Sequence, residues 1–130
     1  MIERAVENSV GRRTVHFQEA SSERLPFADE SIDACMCSNS FHHYPDPVAA
    51  LREMRRVLKP DGGLYILDVT ADFFVLRLID YRVKMTEAEH VRFYSTKEYK
   101  RMFSEAGLEY ERGKWIAFPE KAHIGKKVNG

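Results

Sequence analysis

The chain has 130 residues, 44% of them hydrophobic, and its twenty basic side chains are balanced by twenty acidic ones. That is enough apolar material for one domain, residues 1–130, whose core needs no metal or disulfide staple. Zero formal net charge removes the long-range electrostatic argument for nucleic acid, and without an apolar run of about 18 residues or a basic-then-apolar leader the sequence argues against a membrane span or secretion signal and predicts a cytoplasmic protein.

The chain opens with a predicted helix from Ile2 to Asn8, with Ile2, Ala5 and Val6 on one side, and Gly11 stands alone in a loop. Thr14 to Gln18 alternates and is rich in β-formers, with Val15 and Phe17 facing one way and His16 the other, so a strand is predicted. Ser21, Ser22 and Glu23 read as a polar loop in which Ser22 can open a helical turn. Asp33 to Ser38 is short, apolar and bounded by polar residues, which predicts a buried parallel strand. Its two cysteines, Cys35 and Cys37, point to one face, a poor geometry for a disulfide between them, and read as reduced core thiols. Thiolates followed by His42 and His43 raise the question of zinc. Cys-x-Cys inside a strand lacks the turn spacing of such sites, and no metal is predicted.

Ser38 and Asn39 stand at the carboxyl end of that strand, where open α/β sheets bind ligands; a plain loop cap is the other reading. His42 and His43 follow on the same loop, as a general base or substrate-orienting group, or as packing residues. Asp46-Pro47 then opens a helix that places Ala50, Leu51, Met54, Val57 and Leu58 on one face and stops at Lys59-Pro60. Gly62-Gly63 turns the chain into a second buried strand, Leu64 to Val69, which completes a βαβ unit.

Asp72 to Lys84 is predicted helical, with a narrow charged stripe of Arg77, Asp80 and Lys84 and a broad apolar remainder that includes Phe73, Phe74, Leu76, Leu78, Ile79 and Val83. Such a surface calls for a substrate or a dimer contact to cover it. Ser95 and Glu98 form a capping box for a helix that buries Tyr99, Met102, Phe103 and Ala106 and closes at Gly107. Leu108 to Phe118 and Ala122 to Val128 predict a terminal antiparallel hairpin, with Trp115 and Phe118 as core anchors and Lys126 and Lys127 as solvated charges.

The succession L-P-F-x-D-x-S-I-D from Leu25, H-H-x-x-D-P from His42 and R-x-L-K-P-D-G-G from Arg56 resembles the middle of class I S-adenosylmethionine-dependent methyltransferases, in the small-molecule branch that includes quinone-biosynthesis enzymes. Phe93-Tyr94-Ser95 and the helix end Glu105-Ala106-Gly107-Leu108 resemble the later part of the same family. The resemblance implies an incomplete Rossmann-like sheet, mostly parallel with a C-terminal antiparallel hairpin. It implies S-adenosylmethionine as cofactor and a small molecule as methyl acceptor, while charge and hydropathy argue for no nucleic acid or membrane partner. By position, Ser21 and Ser22 correspond to the pair that grips the adenine edge, with Ser21 where the family has an acid, while Ser38 and Asn39 would line the adenosyl and methionine portions.

The family's glycine-rich loop and ribose-binding acid have no counterpart here, since Gly11 alone precedes Gly62. The resemblance therefore implies a methyltransferase domain without the first half of its cofactor machinery, or a non-catalytic remnant acting as a dimerising or partner-binding module. It also implies two central strands missing between Thr14 to Gln18 and Asp33 to Ser38. The bare edge is expected to be closed by the first strand, by a complementing chain or, as first choice, by a homodimer.

Overall fold

A computed structural model describes residue 11, residues 14–86 and residues 92–128. The helix expected from Ile2 to Asn8 lies outside them. The described residues form one four-stranded sheet in the order β1-β2-β4-β3, from β1 (Ile32–Ser38), β2 (Leu58–Val69), β3 (Leu108–Ala117) and β4 (Glu120–Lys127). Three helices accompany it: α1 (Pro47–Val57), α2 (Phe74–Thr86) and α3 (Thr96–Glu105). β1 and β2 are parallel, whereas β2–β4 and β3–β4 are antiparallel, so the sheet begins as a βαβ crossover and ends as a hairpin whose second strand lies inside.

Local chemistry accounts for the crossover. Asp46 accepts a hydrogen bond from the Ala49 N–H at 2.9 Å, Pro47 occupies the first turn of α1, and Ala50, Leu51, Met54 and Val57 are its buried face. The next strand starts earlier than the sequence suggests. Leu58 already pairs with Ile32, and the pairing slips before Ala34 meets Gly63, so Lys59 to Gly62 form a bulge inside β2 instead of a turn ahead of it. α3 carries its expected capping box: Glu98 N–H donates to Ser95 Oγ at 3.3 Å and Ser95 N–H donates to Glu98 Oε2 at 2.8 Å. Gly107, at φ +76°, ends it in the left-handed conformation, and its carbonyl accepts from Arg55 Nε at 2.9 Å.

The core lies between one sheet face and helices α1 and α3, and its fully buried members include Phe41, Leu51, Leu58, Leu64, Ile66, Tyr99 and Phe103. Gly125 is the close approach that lets α3 settle, because a Cβ there would stand 2.6 Å from the Phe103 ring and 2.5 Å from the Glu109 carbonyl. Tyr99 contributes a ring and a liability: its hydroxyl is buried and has no hydrogen-bond partner. Tyr99→Phe should therefore gain about 1 kcal/mol, read as a higher urea midpoint at unchanged slope; a lower midpoint would show that the hydroxyl is satisfied in solution.

Further sequence expectations need correction, and the first is burial of the strand at Asp33 to Ser38, where only Cys37 is buried. Thr14 to Gln18 is not a strand; its side chains are exposed and no described strand lies beside it to take its backbone hydrogen bonds, so alternation had nothing to act on, and closure of β1's edge by this segment is not observed. Trp115 and Phe118 are not core anchors, at 37% and 64% exposure, because β3 is the outer strand of the hairpin; they pack with Phe73 in a surface cluster of three rings. Lys127 is buried, its ammonium donating to the Leu58 carbonyl and to Glu30, each at 2.9 Å, and so locks the end of β4 to the start of β2. The predicted helix from Asp72 begins at Phe74, and Asp72 instead accepts from Thr96 N–H and Lys121, tying the loop to α3. Of the apolar face of α2 only Leu76 is buried. Phe74, Val75, Leu78, Ile79, Tyr81 and Met85 remain on the surface.

Candidate functional site

The carboxyl ends of the parallel pair β1 and β2 converge on one spot. Asn39 N–H donates to the Leu67 carbonyl at 2.8 Å, which extends the ladder one residue past β1, and Asn39 then takes φ +50° and turns the chain off the sheet. A 3-10 turn, Phe41–His43, follows, anchored by the fully buried Phe41 ring. This places His42 over the end of β2, where Asp68 waits with no exposed surface. One carboxylate oxygen accepts from the His42 backbone N–H at 2.9 Å, and the other lies 2.7 Å from His42 Nδ1 and accepts from Val69 N–H at 2.8 Å. A carboxylate only accepts, so Nδ1 carries a ring proton and Asp68 fixes the orientation of the imidazole. The Phe93 ring packs edge-on at 5.1 Å, His43 lies at 4.0 Å, and the His42 carbonyl accepts from Arg92 N–H.

Behind this pair is a second buried polar group. Thr70 Oγ1 donates to the Asp68 carbonyl at 3.2 Å and is 2.8 Å from His123 Nε2, while Tyr110 OH is 2.9 Å from His123 Nδ1. The single Thr70 hydroxyl proton is already directed at the carbonyl, so His123 donates from Nε2 and accepts from Tyr110 at Nδ1. That assignment requires a neutral ring. Burial, reinforced by the Lys121 charge, holds the His123 pKa down at about 3, and the Tyr99 ring stacks on it at 3.7 Å. Burial likewise lifts the Tyr110 phenol to about 12.

The serine positions are dispersed. Ser21 Oγ accepts from Glu23 N–H at 3.2 Å and Ser21 O from Arg24 N–H at 3.1 Å, so that residue closes its own turn. Ser22 lies on the rim of two adjoining hollows of about 370 and 340 Å³ that share Leu25, Phe27 and Tyr44; the second runs beside β1 along Ala34 and Met36. Arg56 supports this rim by donating to Glu53, Asp29 and the carbonyls of Leu25 and Phe27, contacts that hold the Glu53 carboxyl below its usual range. Ser38 points the other way, into an apolar hollow of about 240 Å³ with Tyr65, Leu67 and Ile116 on the opposite sheet face. Ser22 and Ser38 thus do not meet in one pocket. Cys37 is core and sits 3.1 Å from Ser40 Oγ and 3.5 Å from Tyr44 OH; burial raises both the Cys35 thiol and the Tyr44 phenol, the latter to about 12.

A family model described as a methyltransferase domain matches residues 1–66. The chain belongs to the class I S-adenosylmethionine-dependent methyltransferases. Among curated proteins, it is 36% identical over 103 residues to the uncharacterized methyltransferase YcgJ of Bacillus subtilis strain 168, covering 78% of this chain and 41% of that one. It is 35% identical over 98 residues to the uncharacterized protein YafE of Escherichia coli K12, covering 74% and 47% respectively. The chain thus spans less than half the length of these two relatives. The crystal structure of YcgJ superposes with a TM-score of 0.83 at 24% identity, over 100% of this chain and 79% of that one. A putative methyltransferase solved in complex with the Haloferax volcanii Trm112 activator gives 0.88 at 20% identity, over 99% and 68%. These likenesses show the fold.

Membership of this family implies S-adenosylmethionine as cofactor, and the described residues offer chemistry for one end of it only. The hollows around Ser22, Leu25 and Phe27 are lined mostly by apolar side chains, with the Ser22 hydroxyl among them. No carboxylate lines them, so they offer no charged acceptor for ribose hydroxyls. Among the described residues no three His, Cys, Asp or Glu side chains gather as a metal site, and no helix is long and apolar enough to cross a membrane. Sequence reasoning missed Asp68, Thr70, Tyr110 and His123. The available signal was a lone Asp closing the apolar run Leu64 to Val69, a residue that a buried strand accommodates only with partners.

Proposed function

We propose that this single domain is the substrate-facing part of a methyltransferase for a small molecule, in which His42, oriented by Asp68, receives the proton released by an oxygen or nitrogen acceptor. The Asp68–His42 pair at the ends of adjacent parallel strands carries this reading, since it sets the tautomer and direction of an imidazole where open α/β sheets bind ligands. Bound S-adenosylmethionine would supply the electrophilic methyl group. Ser22, Leu25 and Phe27 would hold its adenine, with Asn39 at the turn above β1, and the groups for its ribose and methionine ends come from a further segment or a second polypeptide. The Phe93 ring against His42 limits water around the imidazole and keeps the acceptor close to it. Two free cysteines suit a reducing, cytoplasmic setting.

A second reading, a non-catalytic module that binds its own copy or another protein, is favoured by the exposed apolar side chains of α2 and of the sheet face around Met36 and Tyr65. The Haloferax volcanii neighbour, solved with an activator chain, is compatible with it. A homodimer is the first choice of partner. Calorimetric titration of the 130-residue chain with S-adenosylmethionine separates the readings. The first expects weak binding, with a dissociation constant of about 1 mM or more for the chain alone, and, once a glycine-loop half is supplied, methyl transfer that falls about 100-fold in His42→Gln with cofactor binding unchanged. Tight one-to-one binding by the chain alone would overturn the incomplete cofactor site, and transfer unaffected by His42→Gln would overturn the proton-accepting role. A folded chain that does not bind the cofactor even with the glycine-loop half supplied would establish the second reading.

A further inference from the structure

A hollow of about 320 Å³ between α2 and the segment leading into α3 is lined by Arg77, Asp80, Tyr81, Lys84, Arg92 and Phe93. Helical spacing brings the first four to one side of α2, and Asp80 ties that side to the facing segment by accepting from the Phe93 N–H at 2.8 Å. Phe93 is also the ring packed edge-on against His42 at 5.1 Å, and the Arg92 N–H donates to the His42 carbonyl at 3.1 Å. The hollow therefore begins one ring away from the imidazole. We propose that it binds an oxyanion of the methyl acceptor, a carboxylate or phosphate carried on an aromatic body, with Arg77 and Arg92 as donors and the acceptor oxygen or nitrogen reaching past Phe93 to His42. The proposal rests on the methyl-transfer reading above and names the chemical class of its substrate.

The charges are unevenly committed. Among the described residues, the three cations Arg77, Lys84 and Arg92 meet two acids, Asp80 and Glu98, and both acids already serve internal partners. Glu98 accepts from the Ser95 N–H at 2.8 Å and lies 3.0 Å from the Ser95 hydroxyl, and it pairs with Arg92 and, at 3.6 Å, with Arg77. Burial pushes its carboxyl up, but Ser95 and the two guanidiniums outweigh burial and hold it below its usual range. One carboxylate cannot neutralise two guanidiniums. Each guanidinium is a planar fork of N–H donors, and the side chains of Arg77 and Arg92 are 55% and 46% exposed, so donors remain for the oxygens of a ligand. Tyr81 and Phe93 set two aromatic rings beside these charges, which suits an aromatic body. Glu87 and Glu89 lie outside the described residues, so the test is made on the whole chain.

Isotope-labelled chain is titrated with benzoate, phenyl phosphate and the uncharged benzamide at fixed ionic strength, with no cofactor present. The expected result is a saturable shift of the Arg92 and Phe93 amide signals with one or both anions and none with benzamide; the tighter anion shows whether the site takes a carboxylate or a phosphate. Arg77→Gln should weaken that binding about tenfold, the worth of one charge-assisted partner. Arg101→Gln removes the same charge from an exposed position on α3 and should change nothing. Arg77→Gln leaves Glu98 with Arg92 and Ser95, and a dispersed amide spectrum verifies that the variant is folded. No shift with either anion, an equal shift with benzamide, or binding indifferent to Arg77→Gln overturns the oxyanion site and leaves the proton-accepting role of His42 standing. That role fails by a different result, methyl transfer unaffected by His42→Gln, which anion binding to the chain alone does not influence.

Discussion

Asp68→Ala is expected to cost about 3–5 kcal/mol of stability, enough to unfold much of a population of ordinary marginal stability. The carboxylate has no exposed surface and accepts from three donors, the His42 backbone N–H, the His42 ring and the Val69 N–H. Truncation strands all three in a site too enclosed for easy hydration. Asn is a poor substitute, because one amide oxygen cannot serve three donors and its NH₂ group faces N–H groups. His42→Gln removes one partner and leaves the carboxylate with two backbone donors, so it should cost much less than Asp68→Ala. Urea unfolding of the three variants at neutral pH checks the order. Equal losses for His42→Gln and Asp68→Ala would mean that the ring, and not the backbone turn, is what the carboxylate holds.

Acid should destabilise the fold through His123. Burial first, and Lys121 second, depress its folded pKa to about 3 from an unfolded value of 6.5. Below about pH 6.5 the unfolded chain takes up a proton that the folded chain refuses, so unfolded molecules bind more protons and stability rises with pH in this window. His123's contribution is complete above about 6.5 and drains away as the pH falls toward 3, at about 1.4 kcal/mol per unit. His123→Asn keeps a donor and an acceptor for Thr70 and Tyr110 but does not titrate. It should be less stable than the native chain at pH 7 and show a flatter loss between pH 6 and 4. An unchanged slope would show that another group governs the acid limb.

What the sequence revealed followed the range of the forces involved. α1 and α3 were legible because their caps and buried stripes are local: Asp46 with Pro47, Ser95 with Glu98, and apolar residues three or four apart. The strand expected at Thr14 to Gln18 failed because a strand is defined by its neighbour, which alternation does not contain. Trp115 and Phe118 misled for a related reason, since large rings suggest a core, but among the described residues β3 is an outer strand and its side chains stay exposed. The burial of Lys127 depends on the Leu58 carbonyl sixty-nine residues away. Of the candidate site, the sequence pointed to His42 and His43 together and not to the carboxylate that orients the first of them. Asp68 and His123 sit singly within strands and Thr70 just past the end of β2, and their grouping emerges only when β4 is laid beside β2.

β2 is flanked on both sides, by β1 and by β4, and Asp68 lies near its far end with Thr70 N–H held by the Pro119 carbonyl just beyond. Amides at the heart of a sheet exchange with solvent only when the whole domain opens, whereas a surface turn can breathe on its own. The turn that carries Ser22 is closed by one backbone bond, Arg24 N–H to Ser21 O, and by the Ser21 hydroxyl. The carboxylate that fixes the His42 ring is therefore carried by a strand bonded on both sides, whereas the turn at Ser22 can open by itself, so the two ends of this face are free to move on different timescales without disturbing each other.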